Sequence, residues 1–501
     1  MKQRKLTLLC LVVHSLFPLT ALAHPERYSI NDRLKVNDNF LPVLAAEAKN
    51  YEMQDLDIDA KHGVARSAME DNSESLCLDI KVEKAGELKS VLGDNIHKVN
   101  VLHVEGPINY DDYNTIWEST FYGRLREVYL DKAEPETDLI PAQTFFHLND
   151  QKDWATGHTY VIWLEKIVLP KNIREIGRLA FAYAMDLKEI VFPENLEIIG
   201  DAAFTNCEKF SAPEFILPPN LEKIGYQAFM YCRELEDAEV VLPETVRVID
   251  GCAFYGTYIA NINFPSNLEF LGMSAFTMCR LKEAIIPDGC VLEAQGCQFS
   301  SNYELERVHL PDSSTIVPND IFRECISLKE VNIPKNAKKI GACAFEGCDK
   351  LEYVDFPEGL EIIENGAFNR CAAFHTLYFP STLKTLGASC FRGCKNILEI
   401  ECKAIVPPVC DFSTATDNPF ISMLSTLPVY VPVNSSAAYA TAYGWNYFKN
   451  FTETEFSGIE NIEIESSAAE NGICDLMGRK VANPVSNQLY IKDGKKYIYK
   501  D

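Results

Sequence analysis

Positive charge is scarce in this sequence of 501 residues. Lysine and arginine number 47 against 72 aspartates and glutamates, which gives a formal net charge of -25. So acidic a surface repels nucleic acid and anionic lipid headgroups. We therefore expect no nucleic-acid partner, and partners that are basic, neutral or reached through divalent cations, with solubility alone as the alternative reason for the charge.

Long apolar runs are also missing. No segment reaches the roughly 18 consecutive apolar residues that a membrane-spanning helix needs. A shorter apolar run, Leu6 to Phe17, follows a basic start and precedes Ala21-Leu22-Ala23, which fits the small-residue pattern of a cleavage site. This arrangement predicts a signal peptide over residues 1–23, a secreted or outer-surface location, and no transmembrane segment in the mature chain.

Histidines are few, with 9 in the whole sequence, and familiar catalytic motifs are missing. We find no H-E-x-x-H, G-x-S-x-G, P-loop or G-x-G-x-x-G in a credible context. Asp111 and Asp112 are adjacent acids that we expect on a solvated loop. Cys343 and Cys348 lack the two-residue spacing and the nearby histidines of a zinc site. The sequence therefore predicts no enzyme, no metal site and no cofactor.

What the sequence has in abundance is repetition. A unit of 22 to 25 residues recurs, in which a short apolar strand ends in proline and is followed by isoleucine–glycine, alanine–phenylalanine and cysteine. A fixed period in this range predicts a solenoid, because one unit cannot bury its apolar face alone and must stack on its neighbours. The strand-ending prolines are Pro170, Pro193, Pro218, Pro243, Pro265, Pro287, Pro311, Pro334, Pro357 and Pro380.

Each unit opens with alternating apolar residues, which predicts a strand whose apolar side faces inward. Proline then ends the strand, since it cannot donate the next ladder hydrogen bond. A second apolar residue follows, and in most units it precedes glycine, which suggests a turn with an unusual backbone angle. These second apolar residues are Ile176, Ile199, Ile224, Ile249, Leu271, Ile340, Ile363 and Leu386.

Phenylalanine takes the same position in all ten units. Side chains at one repeat position lie above one another in a solenoid, so these rings should stack as a spine through the core. The ten residues are Phe181, Phe204, Phe229, Phe254, Phe276, Phe299, Phe322, Phe345, Phe368 and Phe391.

Cysteine follows the spine phenylalanine by three residues in seven units. Exported proteins favour disulfides, but equivalent residues of stacked repeats point the same way at about 4.8 Å. That geometry favours a ladder of buried thiols, with disulfides and a metal site as the alternatives. The seven are Cys207, Cys232, Cys279, Cys325, Cys348, Cys371 and Cys394.

This combination of strand–proline, isoleucine–glycine and A-F-x-x-C resembles the BspA-like leucine-rich repeats over about residues 100–450. The resemblance implies an α/β repeat protein, a right-handed leucine-rich-repeat solenoid with a parallel sheet on one face and a cap at each end. It also implies a class of function. Members of the family are largely exported or surface-exposed, and the characterised ones are mostly adhesins that bind host matrix proteins or other cells.

The repeats divide the chain into regions. After the signal peptide we expect an N-terminal extension at 24–75 and an N-terminal cap with divergent repeats at 76–150. Regular repeats follow at 151–400, then C-terminal capping repeats at 401–456 and a small β-rich tail at 457–501.

The tail carries a resemblance of its own. The segments Gly472 to Val481 and Leu489 to Lys500 are similar to the carboxy-terminal sorting tails of secreted proteins in the Bacteroides group. Those tails usually have glycine before the Leu/Ile-Tyr pair, where this chain has Gln488. The resemblance implies attachment to the cell surface through the tail, and a small strand module with no sorting role is the alternative.

The outward side of the predicted sheet is the candidate binding face. Its amino-terminal half should show an apolar, mostly β-branched stripe beside an acidic stripe. Such residues also favour strands for their own sake, so strand propensity alone is the alternative to a binding surface that selects a basic partner. The residues are Val168, Val191, Ile216, Val241 and Ile285, with Glu189, Glu214, Glu239 and Glu283.

The function that these observations favour is binding. We expect an adhesin-like protein that engages a protein partner, such as a host matrix or cell-surface protein, through the exposed face of the solenoid. A structural surface or scaffold component without a specific ligand is one alternative, and a glycan- or nutrient-capture protein is another.

Overall fold

The computed structural model describes residues 75–146 and 162–456, with the backbone of three short strands beyond them. The predicted signal peptide, almost all of the N-terminal extension and the tail segment Gly472 to Val481 lie outside the described residues. Within the described residues the chain is a parallel-sheet β-solenoid of about 15 turns with little helix. The solenoid predicted from the repeat is therefore confirmed.

The N-terminal cap alternates strands and helices. In chain order it contains β1 (Cys77–Lys81), α1 (Leu88–Leu92), β2 (Val101–Ile108), α2 (Tyr110–Phe121), β3 (Glu127–Pro135) and β4 (Leu139–Ile140). Strands β1, β2 and β3 pair in parallel in that order. The segment predicted as a cap therefore already contributes strands to the solenoid.

The first strand is the predicted one in every regular repeat except that of Leu351 to Pro357, where no strand forms. These strands pair in parallel with their counterparts in neighbouring repeats, and their outward side is called the first face, which β1 to β3 extend. They are β5 (Lys166–Val168), β7 (Glu189–Val191), β9 (Glu214–Ile216), β11 (Glu239–Val241), β13 (Asn261–Ile262), β15 (Glu283–Ile285), β17 (Arg307–His309), β19 (Glu330–Val331), β22 (Thr376–Phe379) and β24 (Glu399–Cys402).

Each repeat also has a second, shorter strand, built on the apolar residue after the proline. These strands, with β4, form parallel sheets of their own, and their outward side is called the second face. They are β6 (Glu175–Ile176), β8 (Ile198–Ile199), β10 (Lys223–Ile224), β12 (Val248–Ile249), β14 (Phe270–Leu271), β16 (Val291–Leu292), β18 (Ile316–Val317), β20 (Lys339–Ile340), β21 (Ile362–Ile363), β23 (Thr385–Gly387) and β25 (Val409–Asp411).

The glycine after the second strand has a different role from the one its sequence suggested. Gly200 and its equivalents do not have a positive φ. Instead, a Cβ at Gly200 would lie 2.6 Å from the carbonyl oxygen of Ile176 in the preceding repeat. Glycine is needed here because neighbouring backbones approach too closely for any side chain.

The left-handed residues lie on the third side of each repeat, around the spine phenylalanine. Ala202 and Asn206, two residues before and after Phe204, have φ of 53° and 57°. This alternation aims the Phe204 N–H along the solenoid axis, where it donates to the Ala228 carbonyl oxygen at 2.8 Å. The turn side is thus joined from repeat to repeat by its own hydrogen bonds.

The phenylalanine spine is confirmed. All ten rings are fully buried, and adjacent ring centroids lie 4.9 Å apart for Phe345 and Phe368 and 5.9 Å apart for Phe299 and Phe322. Phe145 extends the stack at 4.9 Å from Phe181. The spine therefore reaches into the divergent repeats before the regular array.

The buried-thiol ladder is confirmed for the seven repeat cysteines. Each of them is buried and free. The other cysteines that the structure describes are also free, and their exposure ranges from buried to exposed. Each thiol donates to the carbonyl oxygen of the spine phenylalanine of the preceding repeat, at 3.1 Å from Cys325 to Phe299 and 3.2 Å from Cys371 to Phe345. Because the thiol can donate to that carbonyl oxygen, cysteine is suited to this repeat position.

The C-terminal cap closes the array with β26 (Pro428–Pro432), α3 (Ser436–Thr441) and β27 (Asn450–Thr454). Trp445 and Phe448 are buried against it. The tail contributes β28 (Glu463–Glu465), β29 (Leu489–Lys492) and β30 (Lys495–Tyr499), which form a three-stranded sheet. No helix among the described residues is long and apolar enough to cross a membrane.

Candidate binding face

The alternation of each first strand decides which side chains reach the first face. In β9 and β11 the middle residues Phe215 and Val240 are buried, whereas the flanking residues are exposed. Register then aligns the strands, so that Glu214 pairs with Glu239 and Ile216 with Val241. The structure therefore places the apolar and acidic candidates in two parallel columns on the outside.

Exposure varies along the predicted apolar stripe. Ile216 is 64% exposed and Ile285 58%, whereas Val191 and Val241 are 42% and 39% exposed and Val168 is half-buried. The four glutamates Glu189, Glu214, Glu239 and Glu283 are all exposed. All nine candidate residues therefore contact solvent. Strand alternation requires this exposure, and the exposure by itself does not assign them a binding partner.

The stripe is interrupted, contrary to a simple reading of the column. Strands β7 and β9 do not pair, nor do β13 and β15, so Ile285 lies on a different sheet from Val241. Ahead of β9, Ser211 donates to the Lys188 carbonyl oxygen at 3.2 Å, and Pro213 has no N–H with which to continue the ladder. The apolar candidates thus fall into separate groups, of which Ile216 with Val241 is the most exposed adjacent pair.

A side chain continues the pairing of β11 with β13 beyond their last ladder hydrogen bond. Asn263 occupies the outward column but turns back to the neighbouring strand, accepting from the Leu242 N–H at 2.7 Å and donating to the Leu242 carbonyl oxygen at 2.8 Å. Asn332 does the same with Leu310, at 2.6 and 2.9 Å. These two asparagines replace ladder hydrogen bonds and are part of the sheet.

The acidic column is partly neutralised within the protein. Lys166 forms an ion pair with Glu189 at 2.9 Å, and Arg307 with Glu283 at 3.2 Å. The hydrogen bond to Glu189 raises the pKa of the Lys166 ammonium, and that to Glu283 raises the pKa of the Arg307 guanidinium.

Glu214 and Glu239 lie between these neutralised positions. Among the described residues neither has an ion-pair partner, although they are directly opposite each other on β9 and β11. Like charges in that arrangement disfavour the sheet. These two carboxylates therefore form the unneutralised part of the acidic column.

The first face extends beyond the predicted candidates at its amino-terminal end. His103 on β2 and Tyr129 on β3 are paired in register, and their rings stack with centroids 4.3 Å apart at an interplanar angle of 2°. Tyr129 pairs in turn with Val168, so the aromatic pair continues the stripe. The alternation of VLHVE and EVYLD already contained this signal.

The Tyr129 hydroxyl is held by a carboxylate on the same strand. It donates to Glu127 at 2.8 Å, and this hydrogen bond raises the pKa of the phenol. The Lys166 ammonium lies 5.7 Å from the centre of the Tyr129 ring. The head of the first face is therefore a small cluster of aromatic and charged groups.

Asp112 does not lie on a solvated loop as its sequence suggested. It is fully buried at the start of α2, where its carboxylate accepts from the N–H groups of Gly86 at 2.6 Å, Leu88 at 2.9 Å and Asn109 at 2.9 Å. Asp112 is a structural clasp. Across the described residues no group of three or more His, Cys, Asp or Glu side chains is arranged to hold a metal ion.

The repeats match a known family. The model of the "BspA type Leucine rich repeat region" matches six copies that span residues 160–282, 238–325 and 295–410. No curated protein matches the chain.

Several solved structures are similar to it in fold. A leucine-rich repeat protein from Bacteroides ovatus is 24% identical, with 54% of this chain and 84% of that one covered and a TM-score of 0.34. A leucine rich cell surface protein from Faecalibacterium prausnitzii is 20% identical, with 69% and 86% covered and a TM-score of 0.36. The pneumococcal vaccine antigen PcpA is 17% identical, with 66% and 89% covered and a TM-score of 0.36.

Proposed function

Because the chain belongs to the BspA-type leucine-rich repeat family, we propose that it is an exported, adhesin-like binding protein that engages a protein partner through the first face. The partner is a host matrix or cell-surface protein with a basic surface. The tail at 457–501 would attach the protein to the outer cell surface.

One observation carries this proposal: the exposed pair Ile216 and Val241 beside the unneutralised pair Glu214 and Glu239. Two adjacent β-branched side chains are exposed to water here, and covering them with a partner surface lowers the free energy of the complex. A cationic side chain that lies between two adjacent carboxylates also stabilises the complex, because it can pair with both of them. A partner surface that offers apolar contact next to lysine or arginine would satisfy both columns together.

The long-range field supports the same class of partner. The chain carries a net charge of -25, which attracts basic surfaces and accelerates their encounter with the protein. Salt screens that attraction. Capture through this face should therefore weaken as ionic strength rises.

The test is capture of immobilised host matrix proteins by the full mature chain. The double variant Val191→Lys, Ile216→Lys should abolish capture without altering the far-ultraviolet circular dichroism, since both side chains are exposed. Val409→Lys is the matched control, a β-branched residue that is 65% exposed on the second face. Equal capture by the double variant and the control would place the binding site elsewhere.

Charge reversal separates the acidic column from the apolar one. Glu214→Lys with Glu239→Lys should weaken capture of a basic partner and flatten its dependence on salt. Glu283→Lys is the comparison, since Glu283 is already paired with Arg307. If both changes have the same effect, the partner senses overall charge and not this pair.

Glycan capture is the second candidate, favoured by the His103 and Tyr129 pair on the same face. Sugars stack on exposed aromatic rings, and carboxylates such as Glu127 can accept their hydroxyl groups. Binding of the chain to a glycan array, lost on Tyr129→Ala and kept in the Ile216 variant, would favour this function over protein binding. A scaffold without a ligand would bind neither set of probes.

A further inference from the structure

The second face carries an apolar stripe that the sequence did not reveal. In each second strand the first residue faces outward and the second lies on the core side. Val248, Phe270 and Val291 occupy the outward position on β12, β14 and β16, which pair directly. Ile316 has the same position on β18, which does not pair with β16 and begins the next sheet, and Val291 and Ile316 are 46% and 41% exposed. Four successive repeats therefore present apolar side chains on this face.

Paired lysines bound this stripe at both ends. Lys223 on β10 precedes it and forms an ion pair with Asp250 at 3.8 Å. Lys339 on β20 follows it and forms an ion pair with Glu364 at 2.7 Å. From Val248 to Val291 the stripe spans two inter-strand steps of about 4.8 Å, or about 10 Å in total, and Ile316 lies beyond the break between β16 and β18. The paired part matches about three residues of an extended chain.

An acidic concavity lies beside the stripe, at the corner between the two strands of each repeat. Its volume is about 590 Å³, and four carboxylates contribute to its wall, Glu222, Glu244, Glu269 and Asp288. Arg247 donates to Glu269 at 2.8 Å. Among the described residues the other three carboxylates have no ion pair, so the concavity keeps an excess of negative charge.

We propose that this part of the second face, β12 to β18 with the adjoining concavity, docks a short segment of a partner protein that combines apolar and basic residues. Apolar side chains of the segment would cover the stripe. Its lysine or arginine side chains would enter the concavity and pair with Glu222, Glu244 and Asp288, of which Glu244 and Asp288 accept hydrogen bonds from Ser266 and Asp312 but have no cationic partner among the described residues.

Charge complementarity excludes other occupants. A second copy of this chain would bring one acidic concavity against another, and like charges across an interface are unfavourable. Anionic lipid and nucleic acid meet the same repulsion. A basic, partly apolar protein segment is the occupant whose chemistry fits both features.

This surface is separate from the first face. The two are formed by different strands of each repeat and face outward from different sheets. The protein would thus have two docking surfaces, and the second does not depend on the proposed function of the first.

The probe is a fluorescently labelled synthetic peptide of alternating leucine and lysine, titrated against the full chain at physiological salt. The variant Val291→Lys, Ile316→Lys should weaken binding of this peptide by at least about tenfold. It removes apolar contact area from the stripe and introduces lysines that repel the lysines of the peptide. Val409→Lys, in the same column at the far end of the second face, should change binding by less than about twofold. Far-ultraviolet circular dichroism checks that each variant is folded.

Further arms distinguish this surface from general attraction and from the first face. A serine–lysine peptide of equal charge should bind much more weakly, and the first-face variant Val191→Lys, Ile216→Lys should keep its affinity for the leucine–lysine peptide. The proposal is overturned if the leucine–lysine peptide does not bind, if the serine–lysine peptide binds as tightly, or if Val409→Lys is as harmful as Val291→Lys with Ile316→Lys.

Discussion

One slot in the repeat shows why cysteine is so common in this chain. Three residues after the spine phenylalanine, the thiol of seven repeats donates to the phenylalanine carbonyl oxygen of the preceding repeat. Where cysteine is missing, Asn302 takes the slot and donates to Phe276 at 2.7 Å and to Phe299 at 2.9 Å. Cysteine and asparagine thus make the same contact with the preceding repeat. Thr257 instead donates to Phe254 of its own repeat at 2.9 Å, and Ala184 has no side-chain donor.

The ladder thiols should be unreactive in the folded protein. Burial raises the pKa of Cys325 to about 12, and the thiolate is the form that reacts with alkylating reagents. Iodoacetamide at mildly alkaline pH should modify Cys325 and Cys371 only after a denaturant is added. Cys77, which is exposed, should be modified in both states. A Cys325–Cys348 disulfide found by mass spectrometry would contradict the buried-thiol ladder.

The same shift has a consequence for stability at high pH. A thiol whose pKa is higher when folded than when unfolded stabilises the protein only while it is protonated in both states. For Cys325 that contribution should decline as the pH rises from about 9 to about 12. The declining contribution follows from burial and requires no disulfide.

The element that closes the amino-terminal end is α2, and its first turn explains how. Asn109 caps the helix by accepting from the Asp111 N–H at 3.0 Å, and the Asp112 carboxylate accepts from the Asn109 N–H in return. Because Asp112 also accepts from the N–H groups of Gly86 and Leu88, it ties α2 to the start of α1 and to the segment before it. The adjacent residues Asp111 and Asp112 thus have different roles, and the tertiary structure distinguishes them where the sequence does not.

Asp112→Ala should destabilise the N-terminal cap by about 3 kcal/mol, because it leaves three N–H groups without a charged acceptor. Chemical denaturation of the full chain measures the loss. Asp111→Ala is the matched control, since this neighbouring side chain is exposed and its removal should cost less than about 0.5 kcal/mol. Similar losses for the two variants would show that the clasp does not contribute to stability.

At the scale of the whole molecule, the described solenoid is held together mainly by contacts between successive turns. Each first strand, each second strand and each turn segment bonds to its counterpart in an adjoining repeat. Stability in such an array is a sum over repeats and their interfaces. Damage to one repeat should therefore remain local.

Phe345→Ala tests this locality. Its ring lies between Phe322 at 5.5 Å and Phe368 at 4.9 Å, and its loss should cost about 3–5 kcal/mol. Hydrogen exchange of the native variant should accelerate in residues 316–391 and stay unchanged in α2. Phe204→Ala should accelerate exchange in the repeats beside Phe181 and Phe229 and leave residues 316–391 unchanged. Uniform acceleration across the array would show that the repeats unfold as one unit.

Much of the architecture could be predicted from the sequence because it depends on periodicity. The spacing of the prolines, the ten phenylalanines and the cysteine slot each required only that equivalent residues stack. The outward position of residues such as Ile216 and Glu214 followed from strand alternation in the same way. The family followed from the same residues.

What the tertiary structure decided depends on contacts between repeats, which periodicity does not specify. The second strand, the close approach at Gly200 and the buried position of Asp112 arise from backbones and side chains distant in sequence. So do the neutralisation of Glu189 and Glu283 and the breaks beside β9 and β15. The apolar stripe is continuous when it is inferred from the sequence, but the hydrogen bonding between strands divides it in the structure. Ion pairing leaves only Glu214 and Glu239 of the four acidic candidates unneutralised.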